Sequence, residues 1–233
     1  MKTIIILGGS SSIGKSICNE FNTQGNRVIS TFFSKKDLSN NPKNTESIHL
    51  NLNDNESIIN LSQKLISEKI SVDILVSLAG ILPGKDLLGY SFEEIDEVMS
   101  VNFSGQAKLL RNILPLLTNK SKLLLLSSIS AQKGSYDPIY SASKAAILSF
   151  IKSFLPSLPK GSTINAIAPG LIQDSSMFKD MTKDRQESHK KQIFSGSLLD
   201  KDDLAKIIFD LCQDHWMHLN GACIDLNGGQ YLR

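Results

Sequence analysis

Hydrophobic residues in this chain occur in short unbroken runs, separated by longer stretches in which they recur every three or four positions. The runs are rich in Ile, Val and Leu and do not alternate with polar residues, which is typical of strands buried on both faces of a parallel sheet. They read TIIIL (3–7), RVIS (27–30), SIHLNL (47–52), DILVSLA (73–79), KLLLLSS (122–128), TINAIA (163–168) and ACIDL (222–226). The longer stretches have helical spacing and lie at 13–24, 55–68, 92–117, 140–155 and 202–212.

The alternation of these two patterns predicts an α/β protein, with a doubly wound, mainly parallel sheet and helices on both faces. No change of composition divides the chain, so we expect a single domain over 1–233. One polar, Lys-rich stretch at 171–199 contains no clear strand. Long insertions of this kind often cover a binding site, and we interpret this one as a substrate lid.

The junction after the first run, LGGSSSIG at 7–14, indicates an anion site. A strand that stops in glycines and leads into a helix presents backbone N–H groups that have no partner within the helix. Gly8 and Gly9 permit close approach of a ligand to the backbone, and the serines at 10–12 offer hydroxyl donors and a helix cap. Taken alone, the same stretch is equally consistent with a capped glycine turn that binds nothing.

Charge and cysteine usage narrow the class of protein. The net charge of +2 comes from 25 basic and 23 acidic residues that are interspersed, so we expect neither nucleic acid nor a membrane as a partner. Three cysteines, at positions 18, 212 and 223, are odd in number and far apart, which favours reduced thiols in the cytoplasm. The first apolar run is too short for a signal peptide.

Seven short motifs follow one another along the chain: LGGSSSIG (7–14), LAG (78–80), VNFSG (101–105), SSIS (127–130), YSASK (140–144), APGLI (168–172) and LNGG (226–229). In this order they resemble the motifs of the short-chain dehydrogenase/reductase family in its short single-domain form, and especially its 3-oxoacyl-carrier reductase-like members. The resemblance implies a Rossmann-type, NAD(P)-binding sheet of seven mainly parallel strands. It also implies hydride transfer between a nicotinamide and a carbonyl or alcohol.

Some positions depart from the family pattern. Ser12 stands where the glycine turn usually has its middle glycine, and its small side chain is compatible with the turn. The usual NNAG reads SLAG at 77–80, which loses an asparagine that ties neighbouring strands together, and we expect this loss to affect stability more than catalysis. Asn51 replaces an aspartate that meets the adenine amino group, and its side-chain oxygen can still accept that hydrogen bond.

The resemblance assigns catalytic roles to four residues, Asn102, Ser128, Tyr140 and Lys144. A phenol with a pKa near ~10 is a poor acid or base at neutral pH, so its pKa must be lowered. Lys144 lies one helical turn beyond Tyr140, and we expect its ammonium to favour the phenolate and to contact the nicotinamide ribose. Ser128 would orient the substrate oxygen, and Asn102 would hold a water that contacts Lys144. The Ser-to-Tyr spacing is one residue shorter than is common in the family, so Ser127 stays an alternative to Ser128.

The end of the second run, STFFSKKD, predicts the cofactor. An acidic residue there would favour NAD(H), and none occurs before Asp37. Ser34, Lys35 and Lys36 instead suit the 2′-phosphate of NADP(H), although solvated surface lysines are the plain alternative. The full set of predicted cofactor residues is Gly8, Ser10, Ser11, Ser12, Ile13, Gly14, Phe33, Ser34, Lys35, Asn51, Leu52, Ala79, Gly80, Tyr140, Lys144, Pro169, Gly170 and Ile172. No metal is expected, and His215 and His218 are interpreted as structural.

These residues favour an NADP(H)-dependent carbonyl reductase or alcohol dehydrogenase, with 3-oxoacyl thioesters as one substrate class. A sugar or nucleotide-sugar oxidoreductase or epimerase is disfavoured, because longer epimerase relatives carry an added C-terminal domain. A non-catalytic NADP-binding sensor would not need Ser128, Tyr140 and Lys144. The resemblance implies a homodimer or homotetramer, and the apolar residues around much of the circumference of the stretches 92–117 and 140–155 support this expectation. The residues concerned include Leu109, Leu110, Ile113, Ile147, Phe150 and Phe154.

Overall fold

A computed structural model of the chain describes residues 1–34 and 42–233. Its central strand, β1 (Thr3–Leu7), shows why the opening run is continuously apolar. Ile4 and Ile6 pack into one hydrophobic core, whereas Ile5 and Leu7 pack into a second core on the opposite face of the sheet. Side chains alternate along a strand, so a strand covered on both faces needs apolar residues at every position.

The sheet has seven strands in the order β3-β2-β1-β4-β5-β6-β7, and every neighbouring pair is parallel. The predicted doubly wound α/β fold is therefore confirmed. The strand order reverses between β1 and β4, and the carboxyl ends of strands at such a point leave a crevice in which ligands bind. The remaining strands are β2 (Arg27–Phe32), β3 (Thr45–His49), β4 (Val72–Ser77), β5 (Leu117–Leu126), β6 (Thr163–Pro169) and β7 (Cys223–Leu226).

Helices cover both faces of the sheet. α1 and α9 bury Phe21 and Ile208 in one core, and α2, α4 and α6 bury Leu61, Leu109 and Ile147 in the other. In the described part of the chain, no helix is long and apolar enough to cross a membrane. The helices are α1 (Ser12–Thr23), α2 (Asn55–Ser67), α3 (Phe92–Met99), α4 (Gly105–Ile113), α5 (Ser130–Lys133), α6 (Pro138–Phe154), α7 (Ser176–Lys179), α8 (Lys183–Lys191) and α9 (Lys201–Leu211).

The stretch predicted to be helical at 92–117 is helical as far as Leu116, but it is not one regular α-helix. α3 and α4 are joined by a π-helical turn, Ser100–Ser104, and Leu117 already belongs to β5. The turn lies against the loop after β3, where the Ser100 hydroxyl donates to the carbonyl oxygen of Leu52 (3.1 Å). The wider turn changes the helical register and carries the buried Asn102. Such turns are frequently found at functional sites.

The 171–199 segment is more ordered than its sequence suggests. It contains the short helices α7 and α8, and Ile172 and Leu199 form an isolated parallel bridge that closes the base of the segment. Ile172 and Ile193 are buried, whereas α8 is polar and has no buried residue. The buried side chains of Ile172 and Ile193 therefore attach an otherwise polar segment to the carboxyl ends of β6 and β7.

Candidate active site

A cleft of about 760 Å³ lies at the carboxyl ends of the strands, beside the reversal between β1 and β4. Of the described residues predicted for the site, Gly14, Ser34 and Asn102 are not among those that line the cleft. Lys35 and Lys36 lie outside the described residues. The predicted residues that do line it are Gly8, Ser10, Ser11, Ser12, Ile13, Phe33, Asn51, Leu52, Ala79, Gly80, Ser128, Tyr140, Lys144, Pro169, Gly170 and Ile172.

The glycine turn directs the N-terminus of α1 at the cleft. Ser11 is the helix cap: its hydroxyl oxygen accepts from the Gly14 N–H (3.0 Å), and its hydroxyl donates to the Gly8 carbonyl oxygen (2.9 Å). A Cβ atom on Gly14 would lie only 2.5 Å from that carbonyl oxygen, so this close turn requires glycine there. The Ser11 hydroxyl therefore serves the turn, and the helix N-terminus supplies the field that attracts a phosphate.

The residues that follow β2 and β3 give the cleft an aromatic edge. The Phe33 ring is 67% exposed and stacks on the His49 ring, with centroids 6.4 Å apart. The side-chain oxygen of Asn51 accepts from the Asn53 N–H (2.9 Å). An amide oxygen has two lone pairs, so Asn51 keeps the capacity to accept from an adenine amino group.

A side chain from α4 ties the end of β4 to its neighbours where the family has an asparagine. The Ser77 hydroxyl donates to Gln106 Oε1 (2.7 Å). Gln106 Nε2 in turn donates to the main-chain oxygens of Ala79 (3.1 Å) and Asn102 (2.8 Å). Ser77 and Gln106 are both buried, so one glutamine joins the ends of β4 and the π-helical turn.

Lys144 is a buried cation at the floor of the cleft. Its Nζ donates to the main-chain oxygens of Leu126 (2.8 Å) and Ala79 (3.5 Å). Burial penalises the ammonium form and lowers the pKa of Lys144 to about 8. A Cβ atom on Gly80 would lie 2.9 Å from this Nζ, so the glycine leaves room for the lysine head group.

Adjacent serines after β5 have different partners. Both serines line the cleft. The Ser127 hydroxyl donates to the main-chain oxygen of Lys144 (2.9 Å), whereas the Ser128 oxygen accepts from the Ser130 N–H (3.1 Å). Of the two, Ser128 is the one whose side chain acts to lower the pKa of Tyr140.

The expectation that the pKa of Tyr140 is lowered is wrong for this arrangement. Burial of the phenol raises its pKa, the Ser128 hydrogen bond opposes the rise, and the negative charge of Asp137 adds to it. Lys144 directs its ammonium at Leu126 instead. A phenol held in its protonated form suits a proton donor better than a base.

Asn102 is fully buried and forms hydrogen bonds with both backbone groups of Ile81, a residue of the cleft wall. Its Oδ1 accepts from the Ile81 N–H (2.7 Å), and its Nδ2 donates to the Ile81 carbonyl oxygen (3.0 Å) and to the Ser143 hydroxyl (2.9 Å). Both backbone groups of Ile81 are therefore satisfied by one amide. The predicted water between Asn102 and Lys144 stays a prediction.

The 171–199 segment contributes a wall that sequence reasoning did not resolve. His189 of α8 lines the cleft together with Gln230, and Gln230 Nε2 lies 2.9 Å from His189 Nδ1. Partial burial and the charges of Lys133 and Arg185 lower the pKa of His189. The two partners are 41 positions apart, so no local pattern in the sequence indicates the pair.

His215 and His218 are not among the residues that line the cleft. His215 Nε2 is 3.4 Å from Asp210 Oδ1, and both side chains are exposed. Among residues 1–34 and 42–233, no group of three or more His, Cys, Asp or Glu side chains could hold a metal ion.

The sequence is similar to those of known proteins over nearly its whole length. The family described as Enoyl-(Acyl carrier protein) reductase matches residues 8–230. The 3-oxoacyl-[acyl-carrier-protein] reductase FabG of Aquifex aeolicus is 26% identical over 242 residues, which cover 99% of this chain and 97% of that protein.

Two solved structures share the fold. The short-chain dehydrogenase/reductase SDR:Glucose/ribitol dehydrogenase from Brucella melitensis superposes with a TM-score of 0.87 at 23% identity, covering 100% of this chain and 97% of that one. BdcA in complex with NADPH superposes with a TM-score of 0.85 at 23% identity, covering 98% and 93%.

Proposed function

Because the chain belongs to the short-chain dehydrogenase/reductase family, and is an oxidoreductase that acts on CH–OH groups, we propose that it reduces the 3-oxo group of an acyl thioester with NADPH. The observation that carries this proposal is that Ser128, Tyr140 and the buried Lys144 line one cleft at the carboxyl ends of the strands. Two hydroxyl donors in one cleft can both serve a single carbonyl oxygen that gains negative charge during reduction.

The cleft fits a nicotinamide dinucleotide. The glycine turn before α1 offers a helix N-terminus to the pyrophosphate, and the close packing of Gly14 on Gly8 and Gly9 leaves no room for a side chain in this turn. We assign the adenosine to the Phe33 and Asn51 side of the crevice and the nicotinamide to the Tyr140 side. When bound, the reduced cofactor supplies the hydride.

Residues of the chain donate the proton that the reduction requires and restore it afterwards. Tyr140 donates its phenolic proton to the carbonyl oxygen, and Ser128 donates a hydrogen bond to the same oxygen and orients it. Lys144, whose pKa of about 8 keeps it largely cationic at neutral pH, stabilises the phenolate that remains. Asn102 fixes the wall residue Ile81, and we also assign to it the water that would return a proton through Lys144.

The substrate class is supported by the curated relatives and by the shape of the wall. Ile81, Leu82, Met177 and Met181 line the substrate side and offer an apolar surface to an acyl chain. The matching family description names an enoyl reductase, so an enoyl thioester is the necessary comparison substrate. The 3-oxo compound is favoured because the curated relatives over nearly the full chain are 3-oxoacyl reductases.

The paired serines test the assignment. Ser128→Ala should lower kcat for NADPH-dependent reduction of a 3-oxoacyl thioester by about 10²-fold, since one donor to the developing oxyanion is lost. Ser127→Ala is the matched control: it removes a scaffold hydrogen bond and should cost about 1 kcal/mol of unfolding free energy with kcat within a few fold of the wild type. Equal losses of kcat in the two variants would contradict the assignment.

Cofactor preference depends on the end of β2, and we propose NADP(H) over NAD(H). No acidic residue precedes Asp37 there, and BdcA binds NADPH on the same fold. Replacing both Lys35 and Lys36 with alanine should weaken NADPH binding about tenfold or more and leave NADH binding nearly unchanged, because only NADPH carries the 2′-phosphate. The loss should shrink as salt rises.

Isothermal titration of both cofactors measures this preference. Lys160→Ala, an exposed lysine at the opposite end of the sheet, is the control and should change neither affinity. Equal losses for NADPH and NADH in the double variant would assign the lysines a general electrostatic role, and no loss for either would show that they do not bind the phosphate.

We also propose a homodimer or homotetramer in the cytoplasm. Phe150 stacks on Phe154 (5.1 Å between centroids) and meets Phe103 edge-on (5.7 Å), so a half-buried aromatic cluster faces outward from α6 and the π-helical turn. A second apolar surface would cover it. Sedimentation of a monomer alone at micromolar concentration would exclude the oligomer.

The 171–199 segment is proposed as the substrate lid. Met177, Lys179 and His189 from this segment line the cleft, and its base is held by the bridge between Ile172 and Leu199. A cover anchored at its base can open without disturbing the sheet.

A further inference from the structure

Asp137 is a buried carboxylate next to the proposed active site, yet it does not line the cleft. Only 3% of it is exposed. Its Oδ1 accepts from the backbone N–H of Tyr140 (2.8 Å), and its Oδ2 accepts from the N–H groups of Gly84 (2.9 Å) and Lys85 (3.4 Å). The Tyr90 hydroxyl lies 2.8 Å from both oxygens.

These donors come from two parts of the chain that must keep a fixed relation. Tyr140 belongs to the first turn of α6, for which Asp137 is the N-cap. Gly84, Lys85 and Tyr90 belong to the 81–90 segment, whose first two residues form part of the cleft wall. One carboxylate therefore joins the phenol-bearing turn to the wall that faces it.

We propose that Asp137 is a positioning residue for the reaction: its buried carboxylate fixes the 81–90 segment on the first turn of α6, and thereby sets the place of the Tyr140 phenol relative to the cleft wall. The inference rests on the proposed role of Tyr140 as the proton donor. We call this connection between the 81–90 segment and the first turn of α6 the joint. A carboxylate that accepts several N–H and O–H bonds holds the two segments rigidly, because hydrogen bonds to a charged group are stronger than those between neutral groups.

The charge of Asp137 has a second effect on the phenol. Its donors are uncharged groups, and the N-terminus of α6 stabilises the negative charge in place. That charge raises the pKa of Tyr140 and therefore favours the protonated phenol. Removing the charge should make Tyr140 ionise at lower pH.

Other charged groups near this joint are paired or directed elsewhere. Lys85 Nζ pairs with Glu94 on the far side of the Tyr90 ring. Asp86 accepts from the Tyr136 hydroxyl (3.3 Å). Lys144, one turn after Tyr140, donates to main-chain oxygens. Asp137 is thus the carboxylate that bonds directly to the Tyr140 turn.

Amide hydrogen exchange tests the joint without any substrate. In Asp137→Asn, the side-chain oxygen can still accept from Tyr140, but the NH₂ group cannot accept from Gly84 or Lys85. The Gly84 and Lys85 amides should then exchange at least about tenfold faster, whereas amides of β1 should not change. Asp137→Ser, which keeps a helix cap but cannot reach the segment, should give the same result.

Tyr90→Phe is the matched variant if the Asp137 variants fail to fold. It removes one donor and keeps the carboxylate, so exchange at Gly84 and Lys85 should rise several-fold, by less than in Asp137→Asn. Wild-type exchange rates at both amides in Tyr90→Phe, or in a folded Asp137→Asn, would overturn the joint.

Titration of the phenol tests the effect of the charge. The absorbance of tyrosinate is measured for each protein and for its Tyr140→Phe counterpart, and the difference gives the midpoint for Tyr140. The midpoint should move to lower pH in Asp137→Asn and stay in place in Tyr90→Phe. An unmoved midpoint in Asp137→Asn would overturn the electrostatic part of the proposal, while the exchange of Gly84 and Lys85 decides the structural part.

The exchange and titration readouts need no turnover. Wild-type protein without carbonyl reduction would count against the proposed function, while the same exchange and titration results would still support the joint. In an active enzyme, the rate of reduction should fall at lower pH in Asp137→Asn than in the wild type, since reduction requires the protonated phenol.

Discussion

Replacing Tyr140 with phenylalanine is expected to lower kcat for reduction of a 3-oxoacyl thioester by about 10²- to 10⁴-fold, because it deletes the proton donor. NADPH affinity should stay within about twofold of the wild type, since the dinucleotide contacts assigned above lie along the rest of the cleft. Steady-state kinetics and fluorescence titration of NADPH measure the two quantities on the same preparation.

Tyr136→Phe is the matched control for this substitution. Tyr136 lies four residues before Tyr140, is 64% exposed, and its hydroxyl reaches only the exposed side of Asp86 (3.3 Å). It should keep the wild-type kcat. Close to full activity in Tyr140→Phe, with Tyr136→Phe equally active, would remove Tyr140 from the chemistry.

Lys144→Met is expected to stabilise the protein while nearly abolishing its activity. A buried ammonium bonded to main-chain oxygens costs folding free energy, and burial lowers the pKa of Lys144 to about 8. Methionine has a similar length and no charge, so the unfolding free energy at neutral pH should rise by roughly 1–3 kcal/mol. NADPH affinity and kcat should both fall, because the same cation is assigned to the ribose and to the phenolate.

The pH dependence of this gain has a definite sign. A lysine whose pKa is lower in the folded state destabilises that state fully below the folded pKa, and the cost fades as pH rises toward the unfolded value. The advantage of Lys144→Met should therefore be largest below pH of about 8 and shrink toward pH ~10.5. Urea unfolding at several pH values measures it. Lys152→Met, an exposed lysine on the same helix, should show no gain, and a loss of stability in Lys144→Met at neutral pH would contradict the account.

The fold could be predicted because the signal is local and repeated. Each buried strand carries apolar residues at successive positions, as Ile4, Ile5 and Ile6 do, and each covering helix has its own apolar stripe. The π-helical turn at Ser100–Ser104 could not be predicted, since its residues have ordinary helical spacing. Its wider turn depends on contacts with the Leu52 loop, which is remote in sequence.

Some parts of the candidate site could likewise be predicted from the sequence, and others could not. The glycine turn is one contiguous motif, so its position before α1 followed directly from the sequence. The choice between Ser127 and Ser128 depended on where β5 ends, which a spacing rule does not give. Asp137 had a visible signal as a helix cap before Pro138, but its bonds to the 81–90 segment span more than 45 positions. The role of Gln106 was not predicted, because the stretch that contains its partner Ser77 was interpreted only as the loss of an asparagine.

Transfer of deuterium from the cofactor tests the central claim most directly. NADPH that carries deuterium at the transferable position of the nicotinamide is incubated with the wild-type protein and a 3-oxoacyl thioester, and the product is examined by mass spectrometry and NMR. The account predicts a 3-hydroxyacyl thioester with one deuterium on the carbinol carbon, formed by the wild type and not by Tyr140→Phe. Tight NADPH binding with no deuterated alcohol, or deuterium delivered only to an enoyl thioester, would contradict it.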